Sequence, residues 1–178
     1  MKLNASDINR ADSLIDHLCG RIDEYAASGN PFRDRYVGFC AVTVAAHIET
    51  LVKEQVLDFC KKENEYLYAV FSREFQQFNG RIGYQELRWL LKRFDEQADK
   101  RLVELVERLN RFRARASVAA PDLIEAYKSL LNIRHSFSHN INAMFPQVSS
   151  ADLRAYIEAS KRIASAFVRC IPKGAPES

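Results

Sequence analysis

A chain of 178 residues with 47% hydrophobic and 28% charged residues is long enough to bury a core without disulfide or metal staples, and six glycines and five prolines exclude a linker or low-complexity segment. A formal net charge of +3 is compatible with an anionic partner but falls short of the footprint of a strongly basic nucleic-acid binder. The apolar run 37–46 is too short to span a bilayer and residues 1–7 carry no signal-peptide hydrophobic region. The expectation is therefore one cytoplasmic domain over 1–178, with 171–178 as a flexible tail and no membrane partner.

Ile8, Ala11, Ile15, Leu18, Ile22 and Tyr25 recur at steps of three and four, which predicts an amphipathic helix ended by Ser28-Gly29-Asn30-Pro31. Val37, Cys40, Ala41, Val44, Ile48, Leu51, Val52, Val56 and Phe59 mark a second, longer helix to about residue 62, with an apolar face broad enough to be central. Leu67, Val70, Phe71, Phe75 and Phe78 predict a third helix stopped at Asn79-Gly80, with Gly80 as its cap. From Leu87 through Leu90, Leu91, Phe94, Ala98, Leu102, Leu105, Leu109 and Phe112 the helical period holds without a breaker, giving one long helix over 84–115 or two in line.

Pro121-Asp122 reads as a first helical turn, and Ile124, Tyr127 and Leu131 carry the stripe towards Arg134. Asn140 and Pro146 mark a connection, and Ser149 with Asp152 resembles a capping box. Leu153, Tyr156, Ile157, Ile163, Phe167 and Val168 define the last helix. With no competing strand pattern, the fold class is all-α, an up-and-down helical bundle of about five to seven helices. Dinucleotide, P-loop and serine-hydrolase motifs are absent. Cys19, Cys40, Cys60 and Cys170 include no Cys-x-x-Cys pair and read as reduced core thiols.

The chemistry-bearing stretch is Arg134-His135-Ser136-Phe137-Ser138-His139-Asn140. Seventeen arginines and four histidines supply about 0.4 Arg-x4-His pairs by composition alone, so context must carry the argument. The inward stripe, extended by its own steps, reaches Arg134 and then Ser138, and a guanidinium on that face needs a partner or a route to water. Glu49 lies on an otherwise apolar face of the second helix. It reads either as the carboxylate that pairs with Arg134 or as an edge glutamate between two apolar stripes. His47 falls with Thr43, Thr50 and Glu54 on the polar face and is expected to be solvent-exposed.

His135 and His139 share a polar stripe with Lys128 and Asn132. Two histidines four apart can ligate zinc, but a stable site wants a third or fourth ligand, so no metal or other cofactor is assigned. Arg134 and His139 lie about 140° apart on an ideal helix and converge only through arginine reach, distortion near Asn140, or residues of a second subunit. An arginine that grips two phosphate oxygens and an imidazole that moves protons suit attack of an RNA 2′-hydroxyl on the adjacent phosphorus, without metal or protein nucleophile. On that reading Arg134 is the phosphate clamp and His139 the acid or base, with His135, Ser138 and Asn140 supporting or binding the RNA backbone. The cations from Arg81 through Arg88, Lys92, Arg93, Lys100, Arg101, Arg108, Arg111, Arg113 and Arg115 track a phosphate backbone or, interleaved with acids, form a solvated ion-paired face.

At Arg134-His135-Ser136-Phe137-Ser138-His139, in the C-terminal part of an all-helical chain, the sequence resembles the HEPN superfamily, marked by Arg-x4-6-His with a polar residue after the arginine. It looks most like the ribonuclease-type (RiboL-PSP-like) HEPN proteins of bacterial toxin-antitoxin and phage-defence systems, in which a helix-two glutamate is typical. Glu49 in Ala46-His47-Ile48-Glu49-Thr50-Leu51 matches that position. The resemblance implies a homodimer with both motifs in one cleft and metal-independent endoribonuclease activity leaving a cyclic phosphate. It also implies an antitoxin or sensor protein as partner. Some family members are non-catalytic interaction or RNA-binding modules, the alternative function for this chain.

Overall fold

The computed structural model describes residues 5–77, 82–116 and 121–172. Among these the chain is all-α: α1 (Ala5–Ala27), α2 (Arg33–Glu63), α3 (Glu65–Gln77), α4 (Tyr84–Phe94), α5 (Glu96–Ala116), α6 (Leu123–His139) and α7 (Ser150–Cys170). The side chains of Ile8 and Ala11, together with Phe78, the Asn79-Gly80 stop, Arg81 and the tail beyond residue 172, lie outside the described residues.

The helix boundaries have local causes. Gly29 adopts φ +66°, a left-handed conformation that ends α1. Asn64 separates α2 from α3 by one residue, and its Oδ1 accepts from the Tyr66 amide at 2.7 Å as an N-cap. The apolar period over 84–115 belongs to two helices. Asp95 is extended at φ −163° and ψ 122°, donates its amide to the Leu91 carbonyl, and accepts from the Gln97 amide at 2.8 Å. It therefore closes α4 and caps α5. Asp122 is the N-cap of α6 rather than part of its first turn, accepting from the amides of Ile124 (2.8 Å) and Glu125 (3.2 Å). The capping box forms as expected: Ser149 Oγ accepts from the Asp152 amide and the Asp152 carboxylate accepts from the Ser149 amide, both at 3.0 Å.

The chain divides into two compact units, 1–48 with 121–161 and 49–120 with 162–178. In the first, Ile15, Cys19 and Ile22 of α1, Val37, Cys40 and Val44 of α2, Tyr127, Leu130 and Phe137 of α6, and Leu153 and Ile157 of α7 form the core. In the second, Phe71 of α3 meets Phe94 of α4 at 5.0 Å between ring centroids, and Phe59 meets Phe94 at 4.9 Å. Arg93 lies over the Phe71 ring at 4.2 Å while bonding Glu74 at 3.0 Å. All four cysteines are free and buried, and Cys170 is the last residue of α7. By length and composition α2 is the one described helix that passes as a membrane span, yet Val37, Cys40, Ala41, Val44, Ala45, Ile48, Val52 and Val56 line the protein's own cores.

Asp99 is a buried carboxylate in the first turn of α5. Arg88 holds it through two bonds (2.7 and 3.0 Å), and Lys92 stands 3.6 Å away. The Arg88 bond, against the opposing effect of burial, holds the Asp99 carboxyl below the usual carboxylate range. A lowered native pKa contributes stability above the unfolded-state value near ~3.9, and that contribution is lost as pH falls through the native value. Arg88→Met leaves the buried charge with Lys92 alone and is expected to cost about 3 kcal/mol in urea melts at neutral pH. Asp99→Asn should flatten the loss of stability below about pH 4. An Arg88→Met protein as stable as wild type would show that the pair contributes nothing.

Candidate active site

The motif occupies the last two turns of α6. The buried stripe there runs through Leu130, Leu131, Ile133 and Phe137, with Arg134 half-buried at its edge. Ser138 is exposed, contrary to its expected place on the inward stripe, because Phe137 turns inward in the final turn. Lys128, Asn132, His135 and His139 are all exposed, as the polar stripe predicts. The two imidazoles pack edge to face, 4.4 Å between centroids and 73° between planes. Two imidazoles thus meet at one exposed helix end.

Phe137 sets how α6 meets α2. A Cβ built on Gly38 would overlap the Phe137 ring, so the approach requires the missing side chain. Phe39 packs on the same ring at 5.1 Å between centroids. The chain then leaves the motif through a tied-down turn. Asn140 donates its amide to the Ser136 carbonyl, and its Oδ1 accepts from the Asn142 amide at 3.0 Å. Arg35 in turn donates to Asn142 Oδ1 at 3.1 Å. Asn140 therefore has a structural task, in the manner of an Asx turn, alongside the RNA-contacting role expected of it.

Arg33, the first residue of α2, was not singled out by sequence reasoning. It donates to the Phe145 carbonyl at 2.9 Å and to the Val148 carbonyl, and pairs with Asp34 at 2.7 Å, with side-chain exposures of only 16% and 12%. It fastens the connection between α6 and α7. The available signal was a cation in a first helical turn, where the macrodipole disfavours it and a local anionic or carbonyl partner is needed.

Glu49 falls in the second unit and is half-buried, with Oε1 shielded from solvent. Its role towards Arg134 rests on the sequence reading. His47 is half-buried rather than exposed. Among the described residues no group of three or more His, Cys, Asp or Glu side chains is arranged to hold a metal ion. Compared with known proteins, the chain matches no family model, no curated protein and no solved structure.

Gly38 and Gly20 make a controlled pair, both within helices. Helix propensity alone predicts that glycine to alanine stabilises each by up to about 1 kcal/mol. Around Gly20 a Cβ meets nothing within 4 Å, so Gly20→Ala should raise the melting temperature. Gly38→Ala should lower it, by an overpacking cost of about 1–3 kcal/mol against Phe137. Stabilisation by Gly38→Ala would refute the close approach.

Proposed function

We propose that this protein is a metal-independent endoribonuclease of the HEPN type, acting on RNA by internal attack of a 2′-hydroxyl. The observation that carries the reading is the exposed His135–His139 pair, 4.4 Å between rings, on the same two helical turns as the half-buried Arg134. In the reaction the 2′-oxygen forms a bond to phosphorus while the bond from phosphorus to the 5′-oxygen breaks. One proton leaves the attacking hydroxyl and one reaches the departing oxygen. His139 transfers one of these protons from its solvent-facing position at the helix end. Arg134 binds two non-bridging phosphate oxygens and offsets the charge that builds up on them.

His135, Ser138 and Asn140 support the site or contact the RNA backbone. A second copy of the chain completes the cleft, because the arginine and histidine diverge on a regular helix. An antitoxin or sensor protein as restraining partner, and a place in a toxin-antitoxin or phage-defence system, belong to the same proposal.

Purified protein should cleave RNA in excess EDTA. Arg134→Ala and His139→Ala should each lower the rate by at least about 100-fold, the contribution of a lost proton donor or charge-stabilising group, while circular dichroism and melting stay near wild type. Cleavage that persists unchanged in both variants would overturn the assignment.

A further inference from the structure

The cations of α4 and α5, indistinguishable in the sequence, divide into two classes in the fold. Arg88 is committed to Asp99 and Arg93 to Glu74 and the Phe71 ring. Arg101, Arg108 and Arg111 instead line one open groove of about 500 Å³ together with Arg169 from the last turn of α7. Among the described residues Glu104 is the one acid on its wall. Arg108 and Arg169 are exposed and have no ion pair among the described residues. Arg111 has a loose contact with Glu107 at 3.9 Å, both side chains more than 60% exposed, and Arg101 reaches Asp95 at 3.0 Å with half its side chain in water. Such exposed pairs exchange readily for a phosphate.

The groove has an aromatic companion. Phe112, expected on the apolar stripe, is 69% exposed. It stands four residues after Arg108 and eleven after Arg101, so on a regular helix the three lie within about 40° of one another. Arg101 and Arg108 are then about 10.5 Å apart along the axis, with Phe112 about 6 Å further. Spaced guanidiniums ending on an uncovered ring suit a strand that offers phosphates at intervals and a base face to stack, which an acidic polypeptide lacks.

We propose that this groove, formed by α5 and the end of α7, binds the phosphodiester backbone of single-stranded RNA, with Phe112 stacking on a base. The choice of RNA rests on the ribonuclease reading, but the binding itself does not require cleavage. The test measures affinity of a fluorescein-labelled 20-nucleotide single-stranded RNA for full-length His139→Ala protein across a salt series. Four engaged arginines give a slope of log K against log salt of about −2.8. Arg108→Gln and Arg169→Gln, at exposed positions that leave the fold intact, should each reduce the magnitude by about 0.7 and the pair by about 1.4. Phe112→Ala should weaken binding about tenfold with the slope unchanged.

A double variant with wild-type slope and affinity would overturn the groove, as would tighter binding of poly-glutamate than of RNA. Either result leaves cleavage by the wild-type protein, assayed separately, to stand or fall by itself. Conversely, absent cleavage together with the predicted slopes would remove the nuclease reading and keep the groove.

Discussion

The ring of Phe137 fills the space that a side chain at position 38 would occupy, and the arrangement of the motif depends on that contact. Phe137 lies between Arg134 and His139 in sequence. Drawing its ring onto α2 fixes the rotation of the last helical turns, leaving Arg134 at the edge of the core and both imidazoles in solvent. Close packing makes such a contact specific, because a cavity and an added methyl group are both unfavourable there. The Arg33 bonds to the Phe145 and Val148 carbonyls hold the segment that follows, so both the helix and its exit are fixed from α2.

Helices were legible because periodicity at 3.6 residues reports burial directly. The Ser149 and Asp152 box and the polar face of His135 and His139 followed from spacing in the same way. The break at Asp95 was harder to read, since apolar residues stay in phase across it and only an aspartate able to cap marks the join. Steps of three and four from Leu131 lead to Ser138, whereas the inward residues of the last turns are Ile133 and Phe137, which leaves Ser138 in solvent. The role of Gly38 depends on what faces it across the helix pair, which one strand of sequence does not contain. Arg33 was nearer to being read, its placement in a first turn being electrostatically unfavourable without partners.

Charge followed a similar rule. Acids and bases interleave along α4 and α5, and sequence spacing leaves open whether the cations pair with those acids or track a phosphate backbone. The fold buries Asp99 with Arg88 and sets Arg93 on aromatic rings, while Arg101, Arg108 and Arg111 of α5 line an open groove. The buried Asp99 carboxylate thus ties α5 to Arg88 of α4, while the groove guanidiniums stay in solvent. The small net charge of +3 concealed this division, because what matters for an anionic ligand is the cations left uncommitted on one face.

The functional account depends on the attacking group belonging to the RNA rather than to the protein or to water. Its most direct test is end analysis of one RNA oligonucleotide and its all-deoxy counterpart, incubated with the protein in EDTA. The account predicts 2′,3′-cyclic phosphate and 5′-hydroxyl ends from the RNA, and an intact deoxy strand. Cleavage of both strands, or products bearing 3′-hydroxyl and 5′-phosphate ends, would contradict it.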